Sequence, residues 1–154
     1  MPATNLPLPM LQAIRRGQGK QVTADAALKV MMPVGDMVEE IRKGTADEKG
    51  LFALLEFFTF IYGVYTEALQ KTKDKSKPLL EERCADIAKA ANLTHELLLK
   101  VKAGGRAVCN LQQLDCIDKA YDIAVNAHEV LPEYAFIAAY RRQQKYVQER
   151  SNRK

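Results

Sequence analysis

The sequence predicts an all-α protein, a compact bundle of four to five main helices joined by short loops. Three observations carry this reading. Apolar residues recur at alternating spacings of three and four over several long stretches, and no segment alternates apolar and polar residues with period two over the length of a strand. The composition is rich in Ala, Leu, Lys, Glu and Gln, which lose little side-chain freedom in a helix. Only 8 Gly and 6 Pro punctuate the 154 residues. A chain of this length fits one domain, residues 1–154, and buries most of its surface without disulfides or metals.

Each element has its own local signals. Pro7-Leu8-Pro9 favours an extended start, a short helical run from Met10 to Arg16 follows, and Gly17 with Gly19 opens a loop. Thr23 is placed to cap a helix running to about Met32, which Pro33 and Gly35 break or kink. A further turn or two, Asp36 to Lys43, ends at Gly44 in the usual position just past a helix. Thr45-Ala46-Asp47-Glu48 reads as a capping box opening a helix to about Lys73. On it Leu51, Leu55, Phe58, Tyr62, Tyr65 and Leu69 form a stripe widened by Phe57, Ile61, Val64 and Ala68, so this is expected to be the central helix.

Lys71 to Lys77 reads as a polar turn, and Pro78 suits the first turn of the next helix. Leu80, Cys84, Ile87, Ala91, Thr94, Leu98 and Val101 form a second stripe that stops at Gly104-Gly105. Asn110 with Gln113 resembles another capping box, followed by Leu114, Ile117, Tyr121, Ala124 and His128 at helical spacing. Pro132 then starts or kinks a last helix carrying Phe136, Tyr140 and Val147. The expected core is Leu55, Phe58, Tyr62, Ile87, Leu98, Ile117 and Tyr121, in mutual contact.

The net charge of +4 is unevenly placed. Residues 1–22 carry Arg15, Arg16 and Lys20 without an acid, and residues 141–154 carry Arg141, Arg142, Lys145, Arg150, Arg153 and Lys154 against Glu149 alone. The body between them is mildly acidic, which is not the footprint of a dedicated nucleic-acid domain. Residues 1–22 and 148–154 read as loosely ordered ends. The most apolar stretch, Leu51 to Tyr65, contains Glu56 and is shorter than the ~20 residues that span a bilayer, so it reads as a buried helix. Three cysteines without a secretory pattern read as reduced thiols in a cytoplasm.

Motifs for chemistry are weak. Cys84, His95, Cys109, Cys116 and His128 contain no cysteine pair two to four residues apart, and neither His95-Glu96 nor His128-Glu129 extends to a two-histidine helical pattern, so no metal site is expected. Cys84 and Cys116 read as small buried hydrophobes. Gly17-Gln18-Gly19-Lys20 lacks the spacing and the Ser or Thr of a phosphate loop. Glu39-Glu40 and Glu81-Glu82 are neighbours on helix surface and not convergent acids. No catalytic residue and no cofactor site is expected, and the chain reads as a non-enzyme.

A nucleic-acid alternative rests on the basic ends or on one stretch between them. Ile87 to Val101 resembles the core of a helix-turn-helix, with Asn92 at the turn and Leu98 and Val101 anchoring a second helix. That second helix would present Glu96 and leucines where base-reading Arg, Asn or Gln belong, and one continuous helix satisfies the same stripe.

Two segments, Ala26 to Ala68 and Gly105 to Pro132, resemble small all-helical accessory proteins of phages, prophages and plasmids. The second has Arg106 after glycine, then a capped helix ending in His128 and Leu131 before Pro132. The resemblance rests on texture and segment order and carries over no functional residue. It implies a protein that binds and disables a host or competitor complex, as anti-CRISPR inhibitors do. In keeping with a binding role, Tyr134, Tyr140, Arg141, Arg142, Lys145 and Tyr146, with Phe136, supply the aromatic and arginine anchors enriched at interfaces. The expected partner is a protein with an acidic surface, or a ribonucleoprotein complex.

Overall fold

The computed structural model describes the backbone of residues 35–152 and the side chains of all of these except 144, 146–148 and 150–152. The expected short helices at Met10–Arg16 and Thr23–Met32 and the basic segment 1–22 lie outside the described residues. The described chain is all-α, five helices with no strand among them: α1 over residues 35–43, α2 Glu48–Lys71, α3 Lys77–Lys102, α4 Leu111–Val130 and α5 Glu133–Asn152.

Gly44 ends α1 with φ 71°, the left-handed conformation that favours glycine, and the Thr45 amide reaches back to the Glu40 carbonyl at 2.9 Å. Thr45 is therefore taken up in closing α1, its hydroxyl also donating to the Glu40 carbonyl, and it does not cap α2. The cap is Asp47, whose carboxylate accepts from the Gly50 amide at 2.7 Å. The helix thus starts at Glu48, two residues later than a Thr45 cap allows.

α2 is the hub. It packs most extensively against α3, then against α5, and touches α4. Leu51, Leu54, Phe58, Ile61, Tyr65 and Ala68 make its fully buried ridge, with Phe60 and Val64 beside it. Each buried side chain of the Leu, Ile or Phe class contributes about 1.5–3 kcal/mol of transfer free energy. The centre of packing is rotated from the expected stripe. Phe58, Ile87, Leu98 and Ile117 are buried as expected, Leu55 and Tyr121 are half-buried against the core, and Tyr62 is 41% exposed. An apolar band covering more than half of a helix leaves its centre undetermined, and here Leu54 and Ile61 win over Leu55 and Tyr62.

α3 is one uninterrupted helix, with Pro78 in its first turn, where a missing amide donor costs nothing. Asn92 lies in mid-helix and the Thr94 hydroxyl donates to the Ala90 carbonyl at 2.7 Å within the same helix. The helix-turn-helix reading of Ile87 to Val101 is thereby overturned: the turn it needs is regular helix. Gly104, at φ 93°, ends the segment, with the Gly105 amide donating to the Lys100 carbonyl at 2.9 Å. α4 opens on the expected capping box, Asn110 Oδ1 accepting from the Gln113 amide at 2.8 Å and Gln113 Oε1 from the Asn110 amide at 2.9 Å.

α4 packs on α3, whereas α5, after Leu131-Pro132, packs chiefly on α2. Small residues permit its close approach. Ala135 and Ala139 are buried on α5, and a Cβ placed on Gly63 of α2 would lie 3.7 Å from that of Ala139. Phe136 and Phe60 meet beside this contact with ring centroids 6.4 Å apart. α1 is tied to the bundle by buried Val38 and Ile41 and by Arg42, whose Nη2 donates to both carboxylate oxygens of Asp118 on α4, at 2.8 and 2.9 Å.

Candidate functional site

α5 divides its residues between two faces. Ala135, Phe136 and Ala139 point into the bundle, so about half a helical turn out of phase Tyr134, Arg141 and Lys145 face solvent. Arg142 is also exposed, but its guanidinium pairs with Glu67 on α2, whose side chain is 12% exposed. Neither Arg141 nor Lys145 forms an ion pair among the described residues. Tyr140 is half-buried and packs against the core. Tyr146 lies on the same helix, and its side chain is outside the described ones. The structure therefore gathers Tyr134, Arg141, Arg142 and Lys145 on one surface, holds Arg142 to α2, and turns Tyr140 partly inward.

A neighbouring group comes from a part of the chain that reads as an ordinary polar turn. The Lys71 ammonium sits 4.7 Å from the centre of the Tyr134 ring, a cation–π contact that joins the end of α2 to the start of α5. Lys73, Lys75 and Lys77 follow at alternate positions, all exposed. The signal available in sequence was this four-lysine run. Nothing there ties it to Tyr134, 63 positions away from Lys71.

Other candidates for chemistry are dispersed. Among the described residues no three His, Cys, Asp or Glu side chains converge as metal ligands. Cys84 is buried, whereas Cys116, expected to be buried, is only half so, as is Cys109; burial pushes all three thiols up, away from the reactive thiolate. Cys116 falls short because α4 meets the core through Ile117 and Ala120, leaving its neighbour at the edge. The His128 ring nitrogen Nδ1 lies 2.8 Å from the Val125 carbonyl of its own helix. A cavity of about 330 Å³ lies between α1 and the start of α2, lined by Met37, Glu40, Asp47, Gly50 and Leu54. Among the described residues its lining brings no Ser, Thr, Cys or His to it, Lys49 lies at its edge, and Asp47 is engaged in capping.

Three buried polar groups stand out. Both carboxylate oxygens of Glu133 and one of Glu56 are buried without a hydrogen-bond partner among the described residues. Burial pushes the Glu56 carboxyl up. It also pushes the Tyr65 phenol up, opposed by the nearby Arg83 guanidinium. Glu133 has the compensation of lying in the first turn of α5, where unpaired amides favour negative charge.

α2 is long and apolar enough by length and composition to cross a membrane. Its inward ridge is packed against α3, α4 and α5, as the core helix of a bundle requires. An all-α bundle with a cationic and aromatic outer helix face is the class this chain defines. Comparison with protein-family models, curated proteins and solved structures finds no match.

Proposed function

We propose that the protein is a non-enzymatic binding module whose outer α5 face docks onto an acidic surface of a protein partner in the cytoplasm. The observation that carries this is the division of α5. Its small and aromatic residues seat it on α2, while Tyr134, Arg141 and Lys145 face outward, the two cations without an ion-pair partner among the described residues. Exposed charges of this kind contribute little to folding, so they are available to steer and orient a partner. Arg142 and Tyr140 frame the face from its bundle side, and Tyr146 continues along the same helix. The resemblance to phage and plasmid accessory proteins supplies the partner class, a host defence complex such as CRISPR–Cas, which this protein would occupy as an inhibitor.

The test is a comparative capture with the whole chain and its Arg141→Glu/Lys145→Glu variant. Reversing Arg142 is less informative, because it would set a carboxylate against Glu67. The expected result is one stoichiometric protein retained by the wild type and lost by the variant at an unchanged melting temperature. Equal capture by both places the docking site elsewhere. A mobility shift on nucleic acid that falls steeply with salt would favour a nucleic-acid binder instead.

A further inference from the structure

The turn between α2 and α3 is built to hold its cations outward and to keep its own acid occupied. Thr72 donates from its hydroxyl to the Ala68 carbonyl at 2.7 Å, and the Leu80 amide closes onto the Ser76 carbonyl at 3.0 Å. The only carboxylate of the turn, Asp74, accepts from both the hydroxyl and the amide of Ser76, the latter at 2.9 Å. These bonds hold its carboxyl below the usual range. Lys71, Lys73, Lys75 and Lys77 are all exposed around it. Through the Lys71–Tyr134 contact and the Arg142–Glu67 pair this turn is joined to α5. The joined edge carries seven cations, the four lysines with Arg141, Arg142 and Lys145. Asp74 and Glu67 both have partners within the fold, and the exposed Glu81 and Glu149 lie one turn beyond Lys77 and Lys145 at its two limits.

We infer that the Lys71–Lys77 turn and the outer face of α5 form one continuous cationic edge that takes an Asp/Glu-rich segment of a protein partner. The inference rests on the docking function proposed above and names the chemistry of its partner. Charge complementarity gives the sign. The aromatic residues decide between carboxylates and nucleic acid. Binding of single strands uses open ring faces on which bases stack. Here the Lys71 ammonium covers one face of Tyr134, and Tyr140 packs on the core. Among the described side chains, what faces outward beside the half-covered Tyr134 ring is a row of ammonium groups with the Arg141 guanidinium, an arrangement that fits several carboxylates at once.

The test measures fluorescence anisotropy of a labelled poly-glutamate peptide and of a labelled poly-thymidine strand of equal charge, titrated at low salt with the full chain. Two variants accompany it, Lys73→Glu/Lys75→Glu and Arg141→Glu/Lys145→Glu, each checked for an unchanged melting temperature. The wild type is expected to bind the peptide at least as tightly as the strand, and each variant to weaken the peptide by roughly tenfold. Weakening by the α5 variant alone overturns the continuous edge and leaves the α5 docking face standing. Weakening by the turn variant alone, or by neither, overturns both. Tighter binding of the strand overturns the carboxylate assignment.

Discussion

Gly63 offers a direct probe of how α5 is seated, and therefore of how the docking face is positioned. Replacing it with Ala should stabilise the protein. Glycine in a helix interior is about 1 kcal/mol less favourable than alanine. The added methyl would sit 3.7 Å from the Ala139 Cβ, an ordinary van der Waals separation that needs no movement of either helix. A gain approaching 1 kcal/mol is expected, a rise of about 3 °C in melting temperature for a chain of this size. Gly63→Leu should act in the opposite direction. Its larger side chain must enter the space held by Ala139, at a cost of about 1–3 kcal/mol as α5 is displaced. Urea and thermal unfolding followed by circular dichroism measure both. A loss of stability in Gly63→Ala, or a Gly63→Leu protein as stable as wild type, would show that α5 does not cross α2 at this point.

Further outcomes follow from the core, the caps and the buried acid. Phe58 is completely buried at the centre of α2, so Phe58→Ala should lose about 3–5 kcal/mol in urea unfolding. Asn110→Ala removes one arm of the capping box on α4 and should lose about 0.5–2 kcal/mol by the same measurement. Burial raises the Glu56 carboxyl above its ordinary 4.5, so the folded chain holds that proton more tightly than the unfolded one. Stability from this group therefore falls as pH climbs from 4.5 through the raised folded value. Glu56→Gln should then be more stable than wild type at neutral pH and lose that advantage below pH 4.5, read from melting curves across pH.

Much of the fold was legible because its signals are local. Pro78 at the head of α3, Gly104 past its end and the Asn110–Gln113 box each satisfy backbone groups within a few residues, so neighbours in sequence suffice to find them. Tyr62 and Thr45 were not legible for the opposite reason. Whether Tyr62 or Ile61 faces inward depends on where α3 and α5 lie against a helix that is apolar around most of its girth. Whether Thr45 caps the helix after it or closes the helix before it depends on Gly44 turning left-handed. The α5 residues of the candidate face could be picked out by their aromatic and basic character. Their link to Lys71 could not, because the Lys71–Tyr134 and Glu67–Arg142 contacts arise only once α5 returns to the end of α2.

Amide hydrogen exchange of the protein alone and bound to the partner it captures tests the docking face most directly. Added protection confined to residues 134–145 and 71–77, with the inward faces of α3 and α4 unchanged, is the predicted footprint. Protection centred instead on the exposed residues of α3 and α4, with α5 exchanging as in the free protein, would contradict it.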